Sequence, residues 1–314
     1  RGYRIGVIAC NDGGGLPGSW GRGLAALWAK ELTREALWDA LMERRTYGVT
    51  GDRIRLAYWG NSAPMGSLLK NAQRLDVLVD VTCSDELFTI EVIHNGKVAA
   101  SYCHAGGWDD AAALPGKVKL QVQWGWGPKD WYGFPREPVT WNFGLSVNRG
   151  RLASVEPRRW DFSFTQRERT DTRYAFSSVT STQARAANFQ PGSVVLELEA
   201  THETELALEG EGIRRTWKVA DLLARGDVIV LWDEVYERVR KQFGLGLSDI
   251  ENPDSFYHNA RKVKITRAIP EAAYRVQKRF AGLPIQPGRR NYTYVRVIQR
   301  NGQVAWSSPV WVDA

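Results

Sequence analysis

Residues 75–82 read LDVLVDVT, in which Leu75, Val77, Val79 and Val81 alternate with Asp76, Leu78, Asp80 and Thr82. Successive side chains of a strand point to opposite faces, so this period of two predicts a strand with one buried face. The same period extends in both directions. Arg53 to Trp59 opens the series, and Phe88, Ile90 and Val92 lead to Asn95-Gly96, a dipeptide suited to a type I′ hairpin turn with positive φ at both central residues. Val118, Leu120, Val122 and Trp124 alternate with Lys119, Gln121 and Gln123. Further strands are predicted at 144–147, 151–155, 162–165, 174–179, 194–200, 228–231, 261–267 and 274–280. A closing hairpin spans 292–298 and 304–312 around Asn301-Gly302. Short helices are predicted near 219–224 and 233–243, with a loop from Gly244 to Tyr257. Many short antiparallel strands predict a β-sandwich-like region over residues 49–314.

The first 48 residues follow another pattern. Ile5-Gly6-Val7-Ile8-Ala9 is a continuous apolar run, as expected of a parallel strand buried on both faces, and Leu24 to Ala29 reads as a second. Between them lies Cys10-Asn11-Asp12-Gly13-Gly14-Gly15-Leu16-Pro17-Gly18, too rich in Gly for a regular element. Thr33 is placed to cap a helix from about Arg34 to Arg45, with Ala36, Leu37, Ala40 and Leu41 on one face and Glu35, Asp39 and Glu43 opposite. Two doubly buried strands and one helix cannot cover themselves. The segment is therefore read as the closing portion of a larger α/β domain whose earlier part lies outside this chain. The alternative is a small α+β layer packed on the β-rich region. The resulting fold class is α+β.

Composition bounds the function. The 314 residues are 43% apolar and 25% charged, as in a globular protein, and no stretch approaches the roughly 20 apolar residues of a membrane-spanning helix. The net charge of +7 comes from Lys and Arg scattered among Asp and Glu. Even the run Arg158, Arg159, Arg167, Arg169, Arg173 is interleaved with Glu156, Asp161, Glu168 and Asp171, which reads as a solvated face rather than a nucleic-acid site. Cys10, Cys83 and Cys103 lack zinc-site spacing and are read as reduced thiols. His94, His104, His202 and His258 are widely separated, with no H-x-H or H-x-x-x-H pair, and there is no G-x-S-x-G elbow for a serine nucleophile.

The glycine-rich turn lacks the ending of a phosphate-cradling loop and the G-x-G-x-x-G order of a dinucleotide turn. Asp12 is its one carboxylate, suited either to a hard metal ion or to local backbone hydrogen bonds. Trp124, Trp126, Trp131 and Tyr132 form the densest aromatic cluster, read as a core plug ahead of a sugar-stacking platform.

Residues 32–54, LTREALWDALMERRTYGVTGDRI, followed by the Pro64-Met65-Gly66 turn, resemble the bacterial family known as domain of unknown function 3604. RAIPEAAY at 267–274 and YVRVIQRNGQVAWSSPVWV at 294–312 resemble segments of the same family. That family is in turn similar to the PHP (polymerase and histidinol phosphatase) superfamily. The resemblance implies the C-terminal remnant of a distorted α/β barrel over residues 1–48 and a β-sandwich-like accessory region over 49–314. It also implies metal-dependent hydrolysis of phosphoesters or related esters, with divalent Zn, Mn or Fe in the longer relative. An Asp-x-His element typical of the family falls at the glycine turn. Aligned without a gap, Asn11 replaces its Asp and Gly13 its His; shifted by one, Asp12 keeps the Asp and Gly14 replaces the His. Asp12 and, more weakly, Asn11 are therefore the metal-ligand candidates. The implied partner is an N-terminal barrel portion or companion chain. The alternative is a non-catalytic, metal-free β-sandwich module binding a protein or a carbohydrate.

Overall fold

The alternating run around residue 77 becomes the strand Arg74–Thr82, with Leu75, Val77, Val79 and Val81 fully buried and the residues between them half-buried. The computed structural model describes residues 3–10, 23–127, 138–158, 164–180, 191–249, 257 and 260–313.

The chain begins with β1 (Leu24–Leu27), α1 (Arg34–Met42), β2 (Thr46–Val49), β3 (Arg55–Gly60), β4 (Ala63–Pro64), β5 (Leu68–Lys70), β6 (Arg74–Thr82), β7 (Leu87–His94) and β8 (Lys97–Cys103). It continues with β9 (Gly116–Trp126), β10 (Val139–Asn148), β11 (Arg151–Pro157), β12 (Phe164–Arg169), β13 (Arg173–Thr180), β14 (Gly192–Ala200), β15 (Glu205–Gly210) and β16 (Ile213–Lys218). Then come α2 (Val219–Ala224), β17 (Asp227–Val230), α3 (Trp232–Phe243), β18 (Arg261–Ile265), β19 (Ile269–Pro270) and α4 (Glu271–Tyr274). The last strands are β20 (Arg275–Pro284), β21 (Arg290–Gln299), β22 (Val304–Ser307) and β23 (Val310–Asp313). They form two compact units, one from Arg1–Asp109 with Ile269–Ala314 and one from Asp110–Ala268. Residue 48 lies inside β2.

The first unit contains a sheet in the order β1-β2-β22-β21-β23-β5, with β7 on the other side of β21 and β8 beyond it, and a second sheet in the order β20-β6-β3-β4. Its strand pairs are antiparallel apart from β23 with β5. Leu56, Tyr58, Val79, Val92, Val295 and Val297 fill the core; each such side chain removed from water contributes about 1.5–3 kcal/mol. The Tyr58 hydroxyl donates to the Thr293 carbonyl at 3.0 Å, and burial pushes its pKa up. Asn95 and Gly96 both have positive φ, as the type I′ turn requires.

The doubly buried parallel strands expected near the start are corrected. Residues 5–9 form no strand, and Ile5 and Ile8 are exposed. Leu24–Leu27 does form β1, but it pairs antiparallel with β2. A continuous apolar run carries no period, so neither its burial nor the direction of its partner could be read from it.

In the second unit the sheet order is β11-β14-β9-β18-β17 on one side and β12-β13-β10-β15-β16 on the other. Trp124 packs between the sheets against Phe176, Phe143 and Phe164, at ring-centroid distances of 4.7, 6.2 and 6.4 Å. The Trp141 indole N–H donates to Thr180 Oγ1 at 2.8 Å. Burial raises the Tyr174 pKa to about 12. No helix among the described residues is long and apolar enough to cross a membrane.

Candidate functional site at the glycine-rich turn

The surroundings of the turn can be built from its flanks, all in the first unit. Residues 3–10 run without regular structure beside β2. The Val7 N–H donates to Ser308 Oγ at 2.8 Å, and that hydroxyl is 3.1 Å from Thr46 Oγ1. Val7 and Ala9 lie against Gly48, while Ile8 and Cys10 point outward. At the far flank, Gly23 lies against Ala9 and Cys10. The turn therefore leaves and rejoins the described chain at one place, at the head of β1. Asn11 and Asp12, the two metal-ligand candidates, lie outside the described residues.

Beyond β1, the helical stretch and the Pro64-Met65-Gly66 turn that carry the family resemblance meet in space. Thr33 caps α1 as expected, its Oγ1 accepting from the Ala36 N–H at 3.3 Å. Arg44, with φ +57, turns the chain off the helix, and its Nε donates to the Gly66 carbonyl at 3.1 Å. The Gly66 N–H donates to the Pro309 carbonyl at 2.8 Å, Met65 is buried, and the Arg44 guanidinium lies over the Trp311 ring at 5.9 Å. Gly66 has φ +89, and a Cβ there would overlap the carbonyl oxygens of Glu43 and Arg44. Only Gly allows the helix end and the turn to approach so closely.

The described residues offer little to the implied divalent ion. The His94 Nδ1–H donates to Thr293 Oγ1 at 2.8 Å and its Nε2 accepts from the Asn95 amide at 3.0 Å. Burial holds its pKa below the ordinary imidazole value, opposed by a Pro284 backbone hydrogen bond and assisted by the Arg289 charge. His104 donates from Nε2 to the Ala272 carbonyl at 2.6 Å, and its Nδ1 accepts from the Tyr102 hydroxyl at 2.9 Å. Both rings are thus spent on structure. His202 is exposed in a turn of the second unit, and His258 lies outside the described residues. Cys83 is buried while Cys10 and Cys103 are exposed. Among the described residues no three of His, Cys, Asp and Glu gather to hold a metal. By themselves these residues do not fit a divalent ion, and no chemical step follows through one.

The other candidates resolve residue by residue. Trp124 is a core residue, Trp126 is half-buried, and Trp131 and Tyr132 lie outside the described residues. Arg158 is buried; Arg167, Arg169 and Arg173 are exposed on β12 and β13, where Arg173 pairs with Glu168 at 2.8 Å; Arg159 lies outside the described residues. The sequence reading missed the buried carboxylate of Asp52. It accepts from Gln299 Nε2 at 2.6 Å and from Asn301 Nδ2 at 2.8 Å, while Gln299 Oε1 accepts from the backbone N–H of Ser84 at 2.8 Å and of Asp85 at 3.1 Å. No local pattern marks Asp52, because its partners come from the far end of the chain. The network ties three loops together and is structural in character.

Three uncharacterised proteins of Chlamydia are similar to part of the chain. The Chlamydia pneumoniae protein is 37% identical over 86 residues, covering 26% of this chain and 14% of its own length. That of Chlamydia muridarum (strain MoPn / Nigg) is 35% identical over 80 residues, covering 24% and 13%. That of Chlamydia trachomatis serovar D is 30% identical over 86 residues, covering 26% and 14%. The chain thus spans about one seventh of the length of these relatives. Residues 18–80, from the glycine-rich turn through α1 and Gly66 to β6, match a family described as "Protein of unknown function (DUF3604)".

Proposed function

We propose that this chain is the β-rich part of a longer metal-dependent hydrolase acting on phosphoester or related ester bonds. The reading is supported by the match over residues 18–80 to a family of unknown function, which the sequence resemblance links to the PHP superfamily; the matched stretch includes the packed helix end and the Gly66 turn. In this reading an α/β barrel portion, or a companion chain, supplies most metal ligands. Asp12 joins them at the rim, with Asn11 as a weaker ligand. A carboxylate is a good ligand for Zn, Mn or Fe, whereas a neutral amide binds less strongly.

The test is metal analysis of the protein purified from its native source, alongside hydrolysis of aryl phosphates. Bound metal is expected, with turnover lowered at least a hundredfold by Asp12→Ala and less by Asn11→Ala. A metal-free, inactive native protein refutes hydrolysis. The second reading is a non-catalytic module that holds a protein partner. It draws its support from the exposed apolar residues at 3–42. A carbohydrate platform on Trp124 is not supported, since that ring is spent on the core.

A further inference from the structure

The first forty or so residues leave an unusual amount of apolar surface uncovered. Tyr3, Ile5 and Ile8 are exposed before the glycine-rich turn, Leu32 is 91% exposed, and Trp38, Leu41 and Met42 are exposed on α1. These seven compare with six large apolar side chains of similar exposure in all the other described residues, Phe88, Val98, Val228, Phe243, Leu245 and Tyr257.

Their placement is ordered. Trp38, Leu41 and Met42 stand at i, i+3 and i+4, so they share one face of α1. They continue the stripe of half-buried Ala36 and Leu37 and fully buried Ala40, Leu41 lying next to Leu37, so that one apolar arc runs around more than half of the helix. A surface helix shows an apolar stripe that its core covers; a helix whose apolar arc runs on, exposed, past the covered stripe belongs between two layers. One layer is present. Residues 3–10, which carry exposed Tyr3, Ile5 and Ile8, run along β2 and reach Arg44 just beyond α1; β2 pairs with β1, and α1 connects those two strands. β1 is also the last strand of its sheet order, so its outer edge carries no strand among the described residues.

We propose that this face is the docking surface for the additional polypeptide of a longer protein, which lays an apolar α/β layer over α1 and residues 3–10. The proposal rests on the reading that the chain is part of such a protein, but not on the hydrolytic chemistry. Two observations choose this occupant. The relatives extend far beyond the matched stretch, which covers only 13–14% of their length, so they carry additional polypeptide. The rim of the face mixes Glu31, Glu35 and Asp39 with Lys30 and Arg34. A mixed polar rim around an apolar centre suits a protein layer, whereas an anionic lipid surface calls for a rim rich in Lys and Arg.

The test places the photo-crosslinking residue p-benzoylphenylalanine at Leu41 in the native-length protein and maps its products by mass spectrometry. Crosslinks are expected to peptides outside residues 1–314 that belong to the same protein or its companion chain. Crosslinks to a second copy of residues 1–314, the absence of crosslinks, or a native polypeptide no longer than 314 residues would each overturn the proposal. In parallel, the 314-residue chain carrying Trp38→Glu and Leu41→Glu should bind at least twofold less of an apolar dye than the wild type, with an unchanged unfolding temperature; equal dye binding counts against the face. Met42→Gln, a milder change, replaces the pair if the double variant does not fold. Crosslinks without metal or turnover leave the docking face standing and remove the hydrolase reading alone. Turnover without crosslinks does the reverse.

Discussion

Gly66→Ala tests the link between the Pro64-Met65-Gly66 turn and the fold that carries it. Alanine at φ +89 costs about 1–2 kcal/mol for its left-handed backbone. The new Cβ overlaps the Glu43 and Arg44 carbonyl oxygens, which are backbone atoms at a helix end and cannot rotate away. Relieving an overlap by backbone shifts costs about 1–3 kcal/mol. The shift also loosens the hydrogen bonds from Gly66 N–H to Pro309 and from Arg44 to the Gly66 carbonyl, each worth about 0.5–1.5 kcal/mol. The first unit should therefore lose about 3–5 kcal/mol, a large share of the 5–15 kcal/mol that keeps a typical domain folded. Gly302→Ala is the matched control, because Gly302 has φ +83 but a Cβ there meets nothing within 4 Å. It should cost about 1–2 kcal/mol, from the backbone alone. Urea titration read by hydrogen exchange of peptides from β3 and β6, with peptides from β9 and β14 as an internal reference, separates the units. If the two variants agree within about 0.5 kcal/mol, on the scale of ordinary surface substitutions, the close approach at Gly66 carries no energy and the reasoning fails.

Three further outcomes are expected. Ser178→Ala should stabilise the second unit by about 1 kcal/mol, since the buried hydroxyl has no hydrogen-bond partner among the described residues; a clear loss in thermal unfolding would mean it has a partner. Trp124→Ala should destabilise that unit by about 3–5 kcal/mol through the cavity it leaves, whereas a ring held out for sugar stacking would leave stability nearly unchanged. His94 has a folded pKa below its ordinary 6.5, so its contribution to stability is complete above that value, declines as pH falls through it and levels off below the folded value. His94→Gln should flatten the fall in unfolding temperature between pH 7 and pH 5, and an unchanged profile would assign the pH dependence to other groups.

Much of this fold was legible because its strands are half-buried. The alternation at Leu75–Val81 and at Val118–Trp124 became β6 and β9 with the expected inward residues, and the Asn95-Gly96 turn formed with the expected backbone. The short helices at 219–224 and 233–243 were also legible from spacing and became α2 and α3. Ile5–Ala9 was not, since an unbroken apolar run looks the same whether covered by a sheet or left at the surface. The grouping into two units was equally hidden. Strands of both units show the same period of two, and the pairing of β7 with β21 joins residues that local pattern cannot connect. At the candidate site, the capping by Thr33 was readable from its position before α1. The contacts of Gly66 with Glu43 and Arg44, and of Asp52 with Gln299, depend on distant chain and leave no local trace.

The insertion of one unit within the other sets an order on biosynthesis. His94 and Thr293, hydrogen-bonded across β7 and β21, are 199 residues apart. At translation rates of about 5–20 residues per second, β7 waits about 10–40 s for its neighbour to leave the ribosome. All ten strands β9–β18 are complete before that moment, so the inner unit can finish folding while the apolar faces of β3, β6 and β7 still lack cover. The nascent outer half is thus a natural client for holding chaperones, and ribosome stalling shortly before residue 290 should trap it in a form that proteases cut within β3 to β8 but spare from β9 to β18.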